Sequence, residues 1–167
     1  MTNLIIEDGS IVEGANSYIT VEEFLDYLSK RNFDIGKEYN SENEDSVKEF
    51  EGKIIYACEY LNSLSFIGKP AKQYRSMAFP RLGINLDNKI PSQIKEAQSY
   101  IAYQMFNDFD FFKITESNGG IQSETVGPLS TTYFNNSSSI TKDNISYLNR
   151  ILRDFLKTNN GMFRMLV

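Results

Sequence analysis

The sequence contains no histidine and no tryptophan, and it has a single cysteine among 167 residues. Without histidine there is no Ser-His or Cys-His catalytic pair, no histidine-ligated zinc and no imidazole general base. One cysteine, Cys58, excludes an internal disulfide and every multi-cysteine metal site. Glycine-rich phosphate loops of the dinucleotide-binding and Walker types are also missing. What remains is carboxylate, Lys, Tyr or Ser chemistry, or no chemistry at all, and the sequence favours a protein that has no catalytic residues, no metal and no cofactor.

Long apolar runs are absent as well. No stretch approaches the ~18–20 residues that a membrane-spanning helix needs, and no basic region precedes an apolar stretch at the N-terminus, so we expect neither a signal peptide nor a membrane partner. The hydrophobic fraction of 41% is sufficient for the core of one domain. We expect the protein to work in a reducing, soluble compartment.

Charge is distributed unevenly along the chain. The net charge is −5, but residues 1–60 carry 14 acidic against 5 basic side chains, whereas residues 61–167 carry 8 against 12. Opposed acidic and basic halves could help copies associate head to tail. The alternative is that the acidic side chains are solvated helix faces, as charge runs usually are.

Apolar residues spaced by three and four predict a mainly α fold, a bundle of about four helices with a short β-hairpin and a C-terminal helix and tail. The first helix has a capping box, Thr20 with Glu23. The next three helices are predicted to begin near Ser46, Pro91 and Thr141.

Two extended runs flank Gly127 and predict the hairpin at about 121–134. The polar run 135–139 is typical of a linker. We therefore divide the chain into a helical domain over 1–134 and a C-terminal part over 135–167 that contains linker, helix and apolar tail.

The sequence contains two kinds of polar cluster. The acidic residues are typical of solvated faces rather than metal or paired-acid sites, and they are Glu42, Glu44, Asp45, Glu49 and Glu51, with Asp108 and Asp110 among phenylalanines further on. A loop interleaves basic and aromatic residues, which suits contacts to phosphates and stacking on bases of single-stranded nucleic acid. Its members are Phe66, Lys69, Lys72, Tyr74, Arg75, Phe79 and Arg81.

An ordered series of short blocks resembles one phage family. The blocks cover most of residues 12–134 and lie at 14–23, 57–62, 66–68, 79–83, 90–97 and 123–133. The family comprises tailed-phage head–tail connector, or adaptor, proteins, also labelled DnaT-like single-stranded-DNA-binding proteins. Phe79 stands where the family commonly has Trp, and Asn62 stands where it has Asp.

The resemblance implies a structural virion protein rather than an enzyme. It implies a ring of about twelve copies below the portal protein, next to a downstream neck or tail protein. Double-stranded DNA would pass through the ring without sequence-specific binding, and the acidic net charge suits that role. Such a protein is assembled in the bacterial host cytoplasm and ends in the virion neck. The alternative is a DnaT-like protein that binds single-stranded DNA in phage replication.

Two sets of residues follow from this reading. Structural motif residues are expected to maintain the fold, and they are Tyr18, Phe79, Pro80, Arg81, Gly83, Pro91 and Gly127. Partner-interface candidates lie on the last helix and the apolar tail, and they are Arg150, Arg153, Lys157, Met162, Phe163, Met165 and Leu166.

Overall fold

The computed structural model describes residues 4–72, 77–83, 89–113, 123–126, 129–132 and 137–157. This part of the chain contains four helices: α1 (Val21–Arg31), α2 (Glu44–Ser63), α3 (Ser92–Phe106) and α4 (Ser137–Leu152). Two small antiparallel sheets accompany them: β1 (Lys69–Pro70) with β2 (Arg81–Leu82), and β3 (Ser123–Val126) with β4 (Leu129–Thr132). The fold is mainly helical with a β-hairpin, as predicted.

Helix α1 forms as its capping signals indicate. The Thr20 hydroxyl accepts a hydrogen bond from the Glu23 N–H, and the Glu23 carboxylate accepts one from the Thr20 N–H. The helix ends at Asn32, which adopts the left-handed conformation that asparagine tolerates. Local sequence is sufficient to specify this element.

Two predicted helix starts were wrong. Helix α2 begins after Asn43, because the Asn43 side chain accepts hydrogen bonds from the N–H groups of Asp45 and Ser46. Ser46 instead accepts one from the Asn40 N–H. Helix α4 begins at Ser137, four residues before the predicted cap Thr141.

Helix α3 starts close to its predicted position, and α4 ends earlier than predicted. Pro91 is the N-cap of α3 rather than a residue of its first turn. Helix α4 ends at Leu152, before the Asn160-Gly161 pair at which the sequence predicts that the last helix ends. The exact end of a helix depends on which residue caps it, and the sequence contains several possible capping residues near these ends.

The core forms around α3, which packs against each of the other three helices. Phe106 lies between two rings of the neighbouring helices, with ring centroids 5.8 Å from Phe24 and 4.8 Å from Phe50. Three apolar side chains at the C-terminal end of the described chain belong to the same core: Leu148, Leu152 and Phe155. The predicted division at residue 134 lies outside the described residues and stays a prediction.

None of the helices in the described part of the chain is long and apolar enough to cross a membrane.

Candidate nucleic-acid interface

The segment after α2 pairs with the segment after α4. The Ile67 N–H donates to the Phe155 carbonyl at 2.8 Å, and the Lys157 N–H donates to the Ser65 carbonyl at 2.9 Å. Phe66 and Leu156 form an antiparallel bridge between these two bonds. About 90 residues separate the partners in sequence. The pairing therefore brings two distant, basic stretches of the chain to one place.

Arg81 fixes the loop that follows α2. Its guanidinium donates to four backbone carbonyls, those of Phe66, Ile67, Gly68 and Ala78, at 2.7–3.2 Å. Burial lowers the pKa of Arg81 below its ordinary value, although arginine stays charged at neutral pH. With its donors engaged inside the protein, Arg81 is a scaffold for the loop rather than a contact for phosphate.

The aromatic residues of this region point into the core. Phe79 is fully buried, and its ring meets Phe66 and Phe155 edge to face, with centroids 5.0 and 6.0 Å away. Such a cluster cannot stack on bases without leaving the core. The structure thus separates the predicted interleaved cluster: Lys69 and Lys72 are exposed, Phe66, Phe79 and Arg81 are buried, and Tyr74 and Arg75 lie outside the described residues.

The solvent-exposed side chains of the two paired segments are strongly basic. Residues 65–72 and 150–157 carry one acidic residue, Asp154, which lies 3.4 Å from its neighbour Arg153. Arg150 lies one turn earlier on α4, and its guanidinium carbon is 5.8 Å from the centre of the Tyr147 ring. We call the five exposed basic residues of these paired segments the basic surface: Lys69, Lys72, Arg150, Arg153 and Lys157.

A buried polar network holds the other end of the same loop. The Tyr18 hydroxyl accepts a hydrogen bond from the Phe79 N–H at 3.0 Å and donates to Asn62 Oδ1 at 2.9 Å. Asn62 Oδ1 also accepts from the Ala78 N–H at 2.8 Å. Asn62 therefore has a structural role as a neutral amide.

Two buried polar residues were missed by sequence reasoning. Gln98 accepts from the Tyr18 N–H and donates to Ser17 Oγ and the Ile54 carbonyl, all within 2.9 Å. The Glu7 carboxylate is buried and accepts from the N–H groups of three residues in the following loop: Gly9, Ile11 and Val12. A glutamine on the apolar stripe of α3 was a visible signal for Gln98, whereas nothing distinguished Glu7 from other acidic residues.

Of the remaining motif residues, Gly83 has a φ of +80°, a left-handed conformation that favours glycine. Pro80 is buried, and its peptide bond with Phe79 is cis. The predictions for Gly127 and for the tail residues Met162, Phe163, Met165 and Leu166 lie outside the described residues.

The acidic clusters do not form a metal site within the described part of the chain. Glu44 and Glu49 form ion pairs with Lys48 and Lys37, and Glu51 is buried. Asp110 accepts from the Phe112 N–H at 2.9 Å and lies 3.5 Å from the ammonium group of Lys113. These carboxylates contact ordinary structural partners.

Comparison with known proteins gives one family. The family described as "Putative DnaT-like ssDNA binding protein" matches residues 2–167, which is nearly the whole chain. No curated protein and no solved structure matches the chain. The family description supports the single-stranded-DNA-binding label of the resemblance and gives no support to the head–tail connector label. The chain therefore belongs to the family of DnaT-like ssDNA-binding proteins.

Proposed function

We propose that the protein binds single-stranded DNA without sequence preference and that the basic surface contacts the DNA phosphates. The observation that carries this proposal is the pairing of residues 65–67 with 155–157, which joins two basic stretches into one surface. The family match supports the same assignment. The protein would act as a binding protein rather than an enzyme.

The uneven distribution of charge explains how a protein with a net charge of −5 could bind a polyanion. A local basic surface attracts phosphates when acidic side chains lie elsewhere, because interactions between exposed charges are largely screened beyond about 8–10 Å at physiological ionic strength. Asp154 is the one acidic residue in the two paired segments. Binding would be electrostatic, and it would weaken steeply as salt is added.

The basic surface makes the test direct. Fluorescence anisotropy of a labelled oligothymidine would be measured for the native protein and for two double variants, Lys69→Gln with Lys72→Gln and Arg153→Gln with Lys157→Gln. We expect both variants to bind more weakly, and the slope of log K against log salt to fall by about 0.7 for each phosphate that the protein no longer neutralises. The matched control is Lys30→Gln with Lys48→Gln, which removes two exposed lysines from α1 and α2.

If the control variant weakens DNA binding as much as the two test variants do, the proposal is contradicted. The absence of any DNA binding near physiological salt would contradict it as well. A duplex of the same length provides the second comparison. Tighter binding to the duplex than to the single strand would also contradict single-strand binding.

A second candidate, the connector function, is favoured by the opposed charges of the molecule. The N-terminal 60 residues have a net charge of −9, and all five residues of the basic surface come after them in the sequence. An acidic face of one copy could pair with the basic surface of the next and close a ring by rotation. That ring would bind a portal protein and a neck or tail protein in the virion, and it would pass double-stranded DNA through its lumen.

Reconstitution tests this second function. A portal protein incubated with the chain should give stacked rings visible by electron microscopy, and one copy bound per portal particle would rule the ring out. A ring that forms without any single-strand binding would favour the connector function over the first proposal.

A further inference from the structure

Four half-buried aromatic rings lie on α2, on α4 and on the segment that follows α3. Tyr56 and Tyr60 are four residues apart, so they share one face of α2. The Phe112 ring packs on both, with its centroid 4.9 Å from that of Tyr56 and 5.2 Å from that of Tyr60. The fourth ring belongs to Tyr147 on α4. We call these four rings the aromatic row: Tyr56, Tyr60, Phe112 and Tyr147.

The segment after α3 folds back to build the middle of this row. Asp108 has a φ of +60°, a left-handed conformation that helps to reverse the chain after the helix. Phe111 then anchors the segment, because its ring is buried and lies edge to face on Tyr100, six residues before the end of α3. The next residue, Phe112, is half-buried and lies against α2.

Two buried rings connect the aromatic row to the basic surface. The Tyr60 ring centroid lies 5.1 Å from that of Phe111, and the Tyr147 centroid lies 4.6 Å from that of Tyr100. Arg150 of the basic surface lies beside Tyr147. The row therefore begins next to a proposed phosphate contact on α4 and runs across the buried rings to α2.

A cation lies near each end of the aromatic row. At the α2 end, the Tyr56 hydroxyl lies 3.5 Å from the Asp110 carboxylate, which in turn lies 3.5 Å from the exposed ammonium group of Lys113. At the α4 end, Arg150 follows Tyr147 by three residues.

Acidic side chains border the row without covering it. Asp143 lies one turn before Tyr147 on α4, so phosphates are expected on the Arg150 side of that ring. Glu59 lines a groove between α2 and the loop before α1, together with Asn16, on an adjacent face of the helix.

From these contacts we infer that the aromatic row binds the bases of single-stranded DNA, with Tyr147 and Tyr56 as its two outermost stacking rings. The inference rests on the proposed function and adds to it a base-binding site. Stacking on rings tolerates any base, because every base has a π face, and it needs bases that are free of a duplex. The row thus takes the role that the sequence assigned to the buried rings of Phe66 and Phe79.

Removal of single rings tests the inference in the oligothymidine assay. Tyr56→Leu and Tyr147→Leu should each weaken binding by about 5- to 150-fold, the loss that corresponds to one stacked base. The slope of log K against log salt should stay the same, because no phosphate contact is removed. Urea denaturation of each variant would establish that the fold is retained.

Matched controls exist at the same positions and elsewhere. Tyr56→Phe and Tyr147→Phe keep the rings and should bind like the native protein. Phe33→Leu removes a half-buried ring that packs on Tyr103 outside the row, and it should also leave binding unchanged.

An abasic strand of the same length tests the native protein directly, because it keeps the phosphates and removes the bases. We expect the native protein to bind it at least about 5-fold more weakly than oligothymidine. Tyr56→Leu should bind the abasic strand as well as the native protein does. A Tyr56→Trp variant, in a chain that has no other tryptophan, should lose emission when oligothymidine is added and keep it with the abasic strand.

The outcomes separate this inference from the proposed function. If the ring variants bind oligothymidine like the native protein while the basic-surface variants bind it weakly, the aromatic row is not the base-binding site and the proposed function stands. Unchanged binding by the basic-surface variants would contradict the proposed function itself. Protection of the Tyr56→Trp emission that grows with protein concentration in the absence of DNA would assign the row to a second copy of the chain and overturn the inference.

Discussion

Tyr18 and Phe79 contact each other in two ways, although 61 residues separate them. The Tyr18 hydroxyl accepts a hydrogen bond from the Phe79 N–H at 3.0 Å, and the two rings meet edge to face with centroids 6.5 Å apart. Phe79 also packs on Phe66 and Phe155. This contact joins the start of the domain to the loop that carries Lys69 and Lys72, so the position of the basic surface depends on it.

Removing the Tyr18 hydroxyl should destabilise the protein without opening a large cavity. Tyr18→Phe leaves the buried Phe79 N–H without its acceptor, which typically costs ~1–3 kcal/mol. Urea denaturation would measure the loss. Tyr39→Phe is the matched control, because no hydrogen bond of that hydroxyl occurs within the described residues; an equal loss in both variants would contradict the assigned role.

Arg81→Lys should lower stability although it keeps the charge. An ammonium group has three donors and cannot reach four carbonyls in the planar arrangement of a guanidinium. We expect a loss of ~1–3 kcal/mol for the carbonyls left unsatisfied. The exposed Arg153→Lys should be nearly neutral in the same denaturation experiment. Equal stabilities of the two variants would show that the carbonyl contacts of Arg81 are dispensable.

Gln98→Glu should make stability depend on pH. The change removes the two N–H donors to Ser17 and Ile54 and buries a carboxylate, so we expect a loss above ~2 kcal/mol at pH 7. Burial raises the pKa of such a carboxyl, so part of the stability should return as the pH falls and the carboxyl becomes neutral. Gln93→Glu, exposed in the first turn of α3, should show neither effect. A pH-independent loss would contradict the argument.

Cys58 should be unreactive in the folded protein. Burial raises the pKa of its thiol from about 9 to about 12, and the side chain is enclosed beside Met77. The pKa of the Cys58 thiol is higher in the folded than in the unfolded protein. The contribution of the buried thiol to the free energy of unfolding is therefore fully present below pH 9 and is lost as the pH rises towards 12. Iodoacetamide at pH 8 should label Cys58 only after denaturation, whereas Ser63→Cys adds a thiol that reacts at once. Labelling of both thiols at the same rate would contradict the buried placement.

The sequence predicted what depends on near neighbours. The Thr20–Glu23 box and the apolar stripes of the helices act within one or two turns, so the four helices of the described residues and most of the core could be inferred. Asn43 and Ser46 are both suitable caps for the start of α2, and local sequence does not decide between them. In the structure it is Asn43 that accepts the capping hydrogen bonds.

The candidate site was harder to predict, because its residues receive their roles from distant parts of the chain. From the sequence, Arg81 is predicted to be a structural residue and is also a candidate phosphate contact. Only its hydrogen bonds to four backbone carbonyls in the structure decide between these two roles. Likewise, Lys69 and Lys157 belong to one surface because the backbone of residues 65–67 pairs with that of residues 155–157, about 90 positions away. Neither spacing nor composition indicates such a contact.

The pairing of residues 65–67 with 155–157 also has a consequence for synthesis and folding order. Closing a loop of about 90 residues costs conformational entropy that local helix contacts do not, so we expect this closure to come late. On the ribosome, Phe66 and Phe79 must wait for Phe155, which emerges long after them. A chain that stops at Leu152 should therefore expose this aromatic cluster and bind a hydrophobic dye, whereas one that stops at Thr158 should not.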